Sequence, residues 1–374
     1  MAEASDRPWE ALQTFVPPRR PGLDGLLCRA GARLDRLALE FVIGRRQPDP
    51  PVDSPAWRER LAAARPFYAD PRFVAEPDAF FRPPAAPRVQ ERTLLRRRRG
   101  RVLKLTYETD FRPVFPEAGL PPPLPGTARW WRHDAPGHPV VLCVHGYAGG
   151  HPLLETLAFD APRFYRAGMD VVLYVLPYHG TRMVPDARRS GDGFFGGDLV
   201  RTNEAFAQAI YELRALMRHV VAAGAGPVGA FGMSLGGYVT SLLATVEPDL
   251  AFAAPMIPLV SLADMIWAVG AGDPLLRRAA AHGWSRDTLA AFFQPHTPLV
   301  RPPLVPFERR LVIAGVGDRI CPPGHADALW RHWGRPRIHW YPGGHLAQFR
   351  RGAALGEVLR LVRDAKLLPN GASR

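Results

Sequence analysis

Cysteine, lysine and long apolar runs are scarce in this chain, and each scarcity removes a class of protein. Cys28, Cys143 and Cys321 are the only cysteines in 374 residues. They are too few and too scattered for a disulfide framework or a C-x-x-C metal site, which points to a reducing compartment. The opening residues, MAEASDRPWE, are acidic and lack the basic and apolar regions of a signal peptide. The most apolar long stretch, residues 250–272, is interrupted by Pro255, Pro258 and Asp264 and makes a poor membrane span. The expectation is a cytoplasmic protein. Neither an H-E-x-x-H zinc spacing nor a G-x-x-x-x-G-K-[ST] phosphate loop occurs, so no metal and no organic cofactor is expected.

Lysine is limited to Lys104 and Lys366, so the formal net charge of +13 rests on arginine. Clustered arginine can be the footprint of phosphate binding. Alanine, glycine and proline are abundant too, a bias that a genome rich in G and C produces equally. No module with aromatic stacking positions or base-reading helices is visible, and no nucleic-acid partner is expected.

Residues 1–95 read as a Pro- and Arg-rich N-terminal extension, and residues 96–370 as one α/β domain. Within the extension, GLDGLLCRAGARLDRLALEFVIGRR places Leu23, Leu27, Ala30, Leu34, Leu37 and Phe41 at helical spacing, with Arg29, Arg33 and Arg36 largely elsewhere. Such a helix packs its apolar face on the main domain, or it lies on an anionic membrane surface. The run LLRRRRGRVLK reads as a charge cluster leading into a strand, a solvated edge that charge protects.

From about residue 100 the pattern alternates. RVLKLTYETD and TARWWRH read as early strands at an antiparallel edge. HPVVLCVHG is a continuous apolar run, as in a strand buried on both faces, and strand-like runs return in MDVVLYVLP, PVGAFGMS, LAFAAPMI, RRLVIAGVGD and RIHWYPGG, several separated by helical patterns. This alternation predicts a mostly parallel sheet covered by helices. Residues 261–303, rich in Trp, Phe, Leu and Met, form an insert longer than a connector, read either as a lid over a cleft or as a loop packed on its own domain.

In such a sheet, ligands bind beyond the carboxyl ends of the strands. Ser234, His145, Asp318 and His345 each follow an apolar run. A serine hydroxyl needs a base to take its proton, and the base needs a third group to fix its tautomer. Ser234, Asp318 and His345 supply these in the chain order of the α/β-hydrolase arrangement. Gly232 and Gly236 permit a sharp strand-to-helix turn around Ser234, and the turn puts the Leu235 amide at a helix N-terminus, where it can meet an oxyanion. The Tyr147 amide, in the glycine-rich loop HGYAGG, is the candidate second donor. His145 shapes that loop rather than carrying a proton.

Together VLCVHGYAGG, GAFGMSLGGY, VIAGVGDRICPP and YPGGHL resemble the α/β-hydrolase superfamily over roughly residues 100–365. The resemblance implies an eight-stranded, mostly parallel sheet flanked by helices, a triad of Ser234, Asp318 and His345, and an oxyanion hole of the Tyr147 and Leu235 amides. The stretch LPYHGTR is similar to a branch of α/β-hydrolase domain-containing proteins with a Pro-Tyr-x-Gly-x-Arg element, matched here by Tyr178, Gly180 and Arg182. A member of that branch is linked to phospholipid deacylation, so the resemblance admits a lipid acyl ester. The chain departs from it in its Pro-rich N-terminus, which has no evident mitochondrial presequence. Arg182 either binds a substrate carboxylate or phosphate or pins its own loop.

The expected activity is a serine hydrolase that cleaves a carboxylic ester; peripheral membrane contact through the amphipathic helix is the alternative to its packing on the main domain. The apolar insert hints at a hydrophobic acyl group. Acyl transfer or amide hydrolysis by the same triad, and a non-catalytic binding protein on the same fold, stay open at this stage.

Overall fold

The computed structural model describes residues 12, 15–44, 54–85, 87–116, 118–119, 124–185, 187–269 and 274–368. Its sheet is built from β1 (Val89–Arg97), β2 (Gly100–Tyr107), β3 (Gly126–His133), β4 (Val140–Val144), β5 (Asp170–Tyr174), β6 (Val228–Met233), β7 (Ala253–Met256), β8 (Leu311–Gly315) and β9 (Arg337–Tyr341). They lie in the order β1-β2-β3-β5-β4-β6-β7-β8-β9. β4 to β9 pair in parallel, while β1 with β2, β2 with β3 and β3 with β5 are antiparallel. Every residue of β4, β5, β6 and β8 is buried, as strands covered on both faces require.

The sheet has nine strands rather than the expected eight. The additional one is β1, VQERTLLRR, the edge strand joined to β2 across a tight turn at Arg98 and Arg99. Eight of its nine positions are exposed, so it has no apolar run to announce it. Its arginines do what charge does on edge strands, discouraging further pairing. The boundary drawn at residue 95 therefore falls inside a strand.

The N-terminal segment joins the domain it precedes. Tyr68, Phe73, Phe80 and Phe81 are buried in one core with Phe115 and Phe292. Glu204, in the long helix Leu199–Ala222, accepts hydrogen bonds from Tyr68 Oη at 2.6 Å and from the Val114 and Phe115 amides at 2.7 and 3.0 Å. A buried carboxylate is tolerable only when so satisfied.

The helix Gly22–Gly44 exists as expected, but its face is reversed. Gly25, Cys28, Gly31, Ala32 and Asp35 are buried, at i, i+3, i+4 helical spacing, while Leu23, Leu34 and Leu37 point outward and are 45% to 63% exposed. The reason is steric. A Cβ on Gly31 would lie 2.2 Å from Gly344 N, and one on Gly25 would lie 2.3 Å from Arg20 O. Leucine cannot occupy a seam this tight.

The insert contains the helices Leu262–Val269, Pro274–Ala281 and Arg286–Phe293. Its later part is anchored: Asn203 Nδ2 donates to Phe292 O at 3.0 Å, and His296 bridges Asn203 and Tyr238 at 2.9 and 2.8 Å. Trp284, Leu289, Phe292 and Phe293 are spent on the core. This part of the insert is a loop packed on its own domain.

Arg182 is 2% exposed. Its guanidinium forks onto Glu212 with two contacts of 2.7 Å and donates to the carbonyls of Val175 and Leu124 at 2.9 and 3.2 Å. Of its two readings, the geometry is that of the pin: the loop after β5 is tied to the long helix, and both guanidinium ends are committed internally. Removing one member of a buried pair leaves the other charge uncompensated. Arg182→Met is expected to lower unfolding free energy by about 3–5 kcal/mol, with Arg182→Met/Glu212→Leu recovering part of it. Urea denaturation of the single and double variants checks this; an unchanged single variant contradicts the pin.

Candidate active site

Ser234 stands where β6 gives way to the helix Leu235–Leu243, with φ 57° and ψ −116°. A serine at positive φ is strained, at a cost of about 1–3 kcal/mol. The flanking glycines make the turn possible. A Cβ on Gly232 would sit 2.0 Å from Gly236 O, and one on Gly236 would sit 1.8 Å from Val144 O. The Ser234 amide is held by Met256 O of β7 at 3.0 Å.

Asp318 and His345 stand on the loops after β8 and β9. Ser234 Oγ lies 2.9 Å from His345 Nε2, and His345 Nδ1 lies 2.8 Å from Asp318 Oδ2. With the hydroxyl donating to Nε2 and Nδ1–H donating to the carboxylate, the three form a continuous relay. Asp318 is 1% exposed, and its other oxygen accepts from the Ile320 and Cys321 amides at 2.9 and 2.8 Å. The two loops are also bonded to each other, Gly317 N to Gly343 O at 2.7 Å and Val316 N to Tyr341 O at 3.1 Å.

Burial works against the imidazolium of His345, but the facing Asp318 carboxylate, joined by Cys321 beside it, outweighs this and holds His345 well above the ordinary imidazole value. Burial also raises the Cys321 thiol beside it.

The loop after β4 passes the nucleophile closely: a Cβ on Gly146 would lie 3.3 Å from Ser234 Cβ. Ala148 at φ 65° and a Gly149 N to Gly146 O bond of 3.1 Å turn this loop back on itself, with Tyr147 at the bend. The Tyr147 side chain faces His179 and Phe195, and its hydroxyl donates to Asp192 at 3.3 Å. Leu235 is the first residue of its helix, where an amide has no intrahelical acceptor. His145 is 1% exposed and lowered to about 3, first by burial and then by His179. Neutral, it accepts from Leu176 N at 3.1 Å and donates from Nδ1 to Gly146 O at 2.8 Å, fastening the loop.

The Pro-Tyr-x-Gly-x-Arg element braces this loop from behind. Gly180, at φ 51°, lies so close that a Cβ would meet Gly150 O at 2.3 Å. Ser190 joins the two, accepting from Gly180 N at 2.9 Å and donating to Gly149 O.

The structure thus brings Ser234, Asp318, His345, Tyr147 and Leu235 to one end of the sheet and leaves Arg182 inside the body of the protein. Sequence reading missed Asp35, which is fully buried and contacts the loops of both the acid and the base. Its signal was an acid on the small-residue face of the amphipathic helix. Among the described residues no group of three or more His, Cys, Asp or Glu side chains is placed to hold a metal ion. Among them too, no helix is long and apolar enough to cross a membrane.

No family model matches the chain. It is 32% identical over 313 residues to the uncharacterized protein Rv2627c of Mycobacterium tuberculosis (strain ATCC 25618 / H37Rv), spanning 78% of this chain and 71% of that protein. The uncharacterized protein MT2702 of strain CDC 1551 / Oshkosh is 31% identical over the same spans. Among solved structures, acetyl xylan esterase 1 from Thermoanaerobacterium sp. JW/SL YS485 superposes with a TM-score of 0.55 at 17% identity, covering 80% of this chain and 93% of its own. The acetyl xylan esterase from Paenibacillus sp. R4 gives 0.54 at 15% identity, covering 80% and 94%. Identities this low carry the architecture and not the substrate. The chain has the α/β-hydrolase fold and belongs to the family of the mycobacterial protein Rv2627c.

Proposed function

We propose that this protein is a serine hydrolase that cleaves carboxylic esters through an acyl-enzyme. The observation that carries the reading is the unbroken chain of contacts from Ser234 Oγ through His345 to Asp318, at 2.9 and 2.8 Å. His345 removes the hydroxyl proton as Ser234 Oγ attacks the acyl carbon, and the Leu235 and Tyr147 amides receive the oxyanion. His345 then returns the proton to the departing alcohol. Water, deprotonated by the same imidazole, attacks the acyl-enzyme and frees the acid. Each oxyanion donor contributes about 3 kcal/mol of transition-state stabilisation.

A contact with an anionic lipid surface belongs to the same reading. Leu23, Leu26, Leu34 and Leu37 are exposed on the helix Gly22–Gly44, and Arg29, Arg33 and Arg36 are exposed with them. The formal charge of +13 favours an anionic sheet of headgroups and opposes a second copy of the chain.

Three outcomes are expected. Purified protein reacts with a fluorophosphonate probe and turns over short-chain p-nitrophenyl esters, and Ser234→Ala loses both; a folded wild-type protein that neither labels nor turns over overturns the hydrolase. The pH profile has a defined sign. His345 must be neutral to act as base, so activity falls as pH drops through its raised pKa, and the acidic limb of kcat/KM lies above the ordinary imidazole value of about 6.5. Asp318→Asn removes the charge that raises it, moving the limb to lower pH while kcat falls on the order of 10⁴-fold; a limb that stays in place contradicts this pairing. Finally, the protein sediments with phosphatidylglycerol vesicles and not with phosphatidylcholine vesicles, and Arg29→Glu/Arg33→Glu/Arg36→Glu abolishes the binding. Equal binding by that variant rules out the contact.

A further inference from the structure

One carboxylate from the N-terminal helix gathers the backbone of both loops that carry the base and the acid. The His345 amide donates to Asp35 Oδ2 at 2.7 Å, and the Leu346 amide donates to Oδ1 at 3.0 Å. The Arg319 amide, one residue past Asp318, donates to Oδ2 at 3.1 Å. Asp35 has no exposed surface, and its partners lie 284 to 311 residues away in the chain. The helix is pressed onto these loops rather than resting near them. A Cβ on Gly317 would lie 2.3 Å from Cys28 O, and one on Gly344 would lie 2.4 Å from Asp35 Oδ2.

We infer that Asp35 is a positioning residue for the reaction, holding the His345 loop and the Asp318 loop in register so that the imidazole bridges Ser234 and Asp318. The inference rests on the serine hydrolase reading. Neither loop is regular structure at these points, so the His345, Leu346 and Arg319 amides have no strand or helix partner to fix them. A single acceptor with two oxygens removes that freedom. It acts on the backbone on both sides of the His345–Asp318 hydrogen bond, so loss of Asp35 frees the donor and the acceptor of that bond at once. Asparagine replaces it only in part: a carbonyl oxygen in the place of Oδ2 still meets the His345 and Arg319 amides, but the amide group then turns N–H donors toward the Leu346 N–H.

The experiment compares wild type with Asp35→Asn, Asp35→Ala and the exposed control Glu40→Ala. Active sites are counted with a fluorophosphonate, and kcat is then expressed per titrated Ser234, so that unfolded molecules drop out. A displacement near 1 Å at a catalytic group costs up to about 100-fold. The expected result is a 10- to 100-fold loss of kcat per site for Asp35→Ala and a smaller loss for Asp35→Asn, with KM within twofold, a matching loss in labelling rate, and an unchanged Glu40→Ala. Amide hydrogen exchange is expected to accelerate in the peptides holding residues 318–321 and 343–347. Should the Asp35 variants not fold, Gly31→Ala, which pushes the helix off Gly344, is read in the same way. Wild-type kcat per site in Asp35→Ala, or in Gly31→Ala, overturns the inference and leaves the hydrolase standing. A wild-type protein that neither labels nor turns over overturns both.

Discussion

At Ser234 the chain turns from β6 into a helix through a backbone conformation that serine does not adopt without strain, and the other parts of the site are placed relative to that turn. Its φ of 57° lifts the side chain beyond the end of the sheet. The strain is held by neighbours that leave no room for relaxation: Met256 O fixes the Ser234 amide, and Gly236 is packed so tightly under Val144 O that no Cβ fits. The same packing ties the helix start, and with it the Leu235 amide, to β4. The loop that carries Tyr147 leaves from the end of β4 as well. Ser234 and the two amides proposed as oxyanion donors are therefore referred to one pair of adjacent parallel strands, which a rigid sheet keeps in constant relation.

The base cannot borrow that rigidity. His345 lies four residues beyond the end of β9, on a loop that contains Gly343 at φ 129°. Loops at such positions are ordinarily the least stable parts of a fold. Here the slack is taken up by hydrogen bonds from several directions: Gly317 N to Gly343 O, Tyr341 Oη to Gly344 O at 3.0 Å, Gln348 Nε2 to His345 O at 3.0 Å, and the amides gathered by Asp35. A catalytic imidazole has to swing little and keep its tautomer, and this packing of the main chain serves both ends.

The parts legible in the sequence were those whose physics is local. Apolar runs such as VVLCV and DVVLY can only be strands buried on both faces, and a polar residue directly after such a run stands at the end of the sheet where ligands bind. That reasoning located Ser234, Asp318 and His345. The illegible parts depended on partners far along the chain. β1 is a strand because β2 offers it a ladder, and its own residues read as a charged loop. Arg182 is pinned because Glu212 lies 30 residues on, in the middle of a long helix, and nothing in the local pattern marks that acid as a partner.

The reversed N-terminal helix carries the same lesson further. Periodicity weighs leucine heavily and glycine not at all, so it assigns the burying face to the leucines. Burial is decided by what the helix must approach, and two loops of irregular backbone demand small side chains and an acceptor. Gly31, Cys28 and Asp35 meet that demand; Leu34 and Leu37 do not. Gly31 meets Gly344 backbone to backbone and the Asp35 carboxylate holds the His345 amide, so the position of the helix bears directly on both residues. The leucine and arginine face lies on the opposite side of the same helix, so the lipid contact proposed for that face and the positioning role proposed for Asp35 meet in one element.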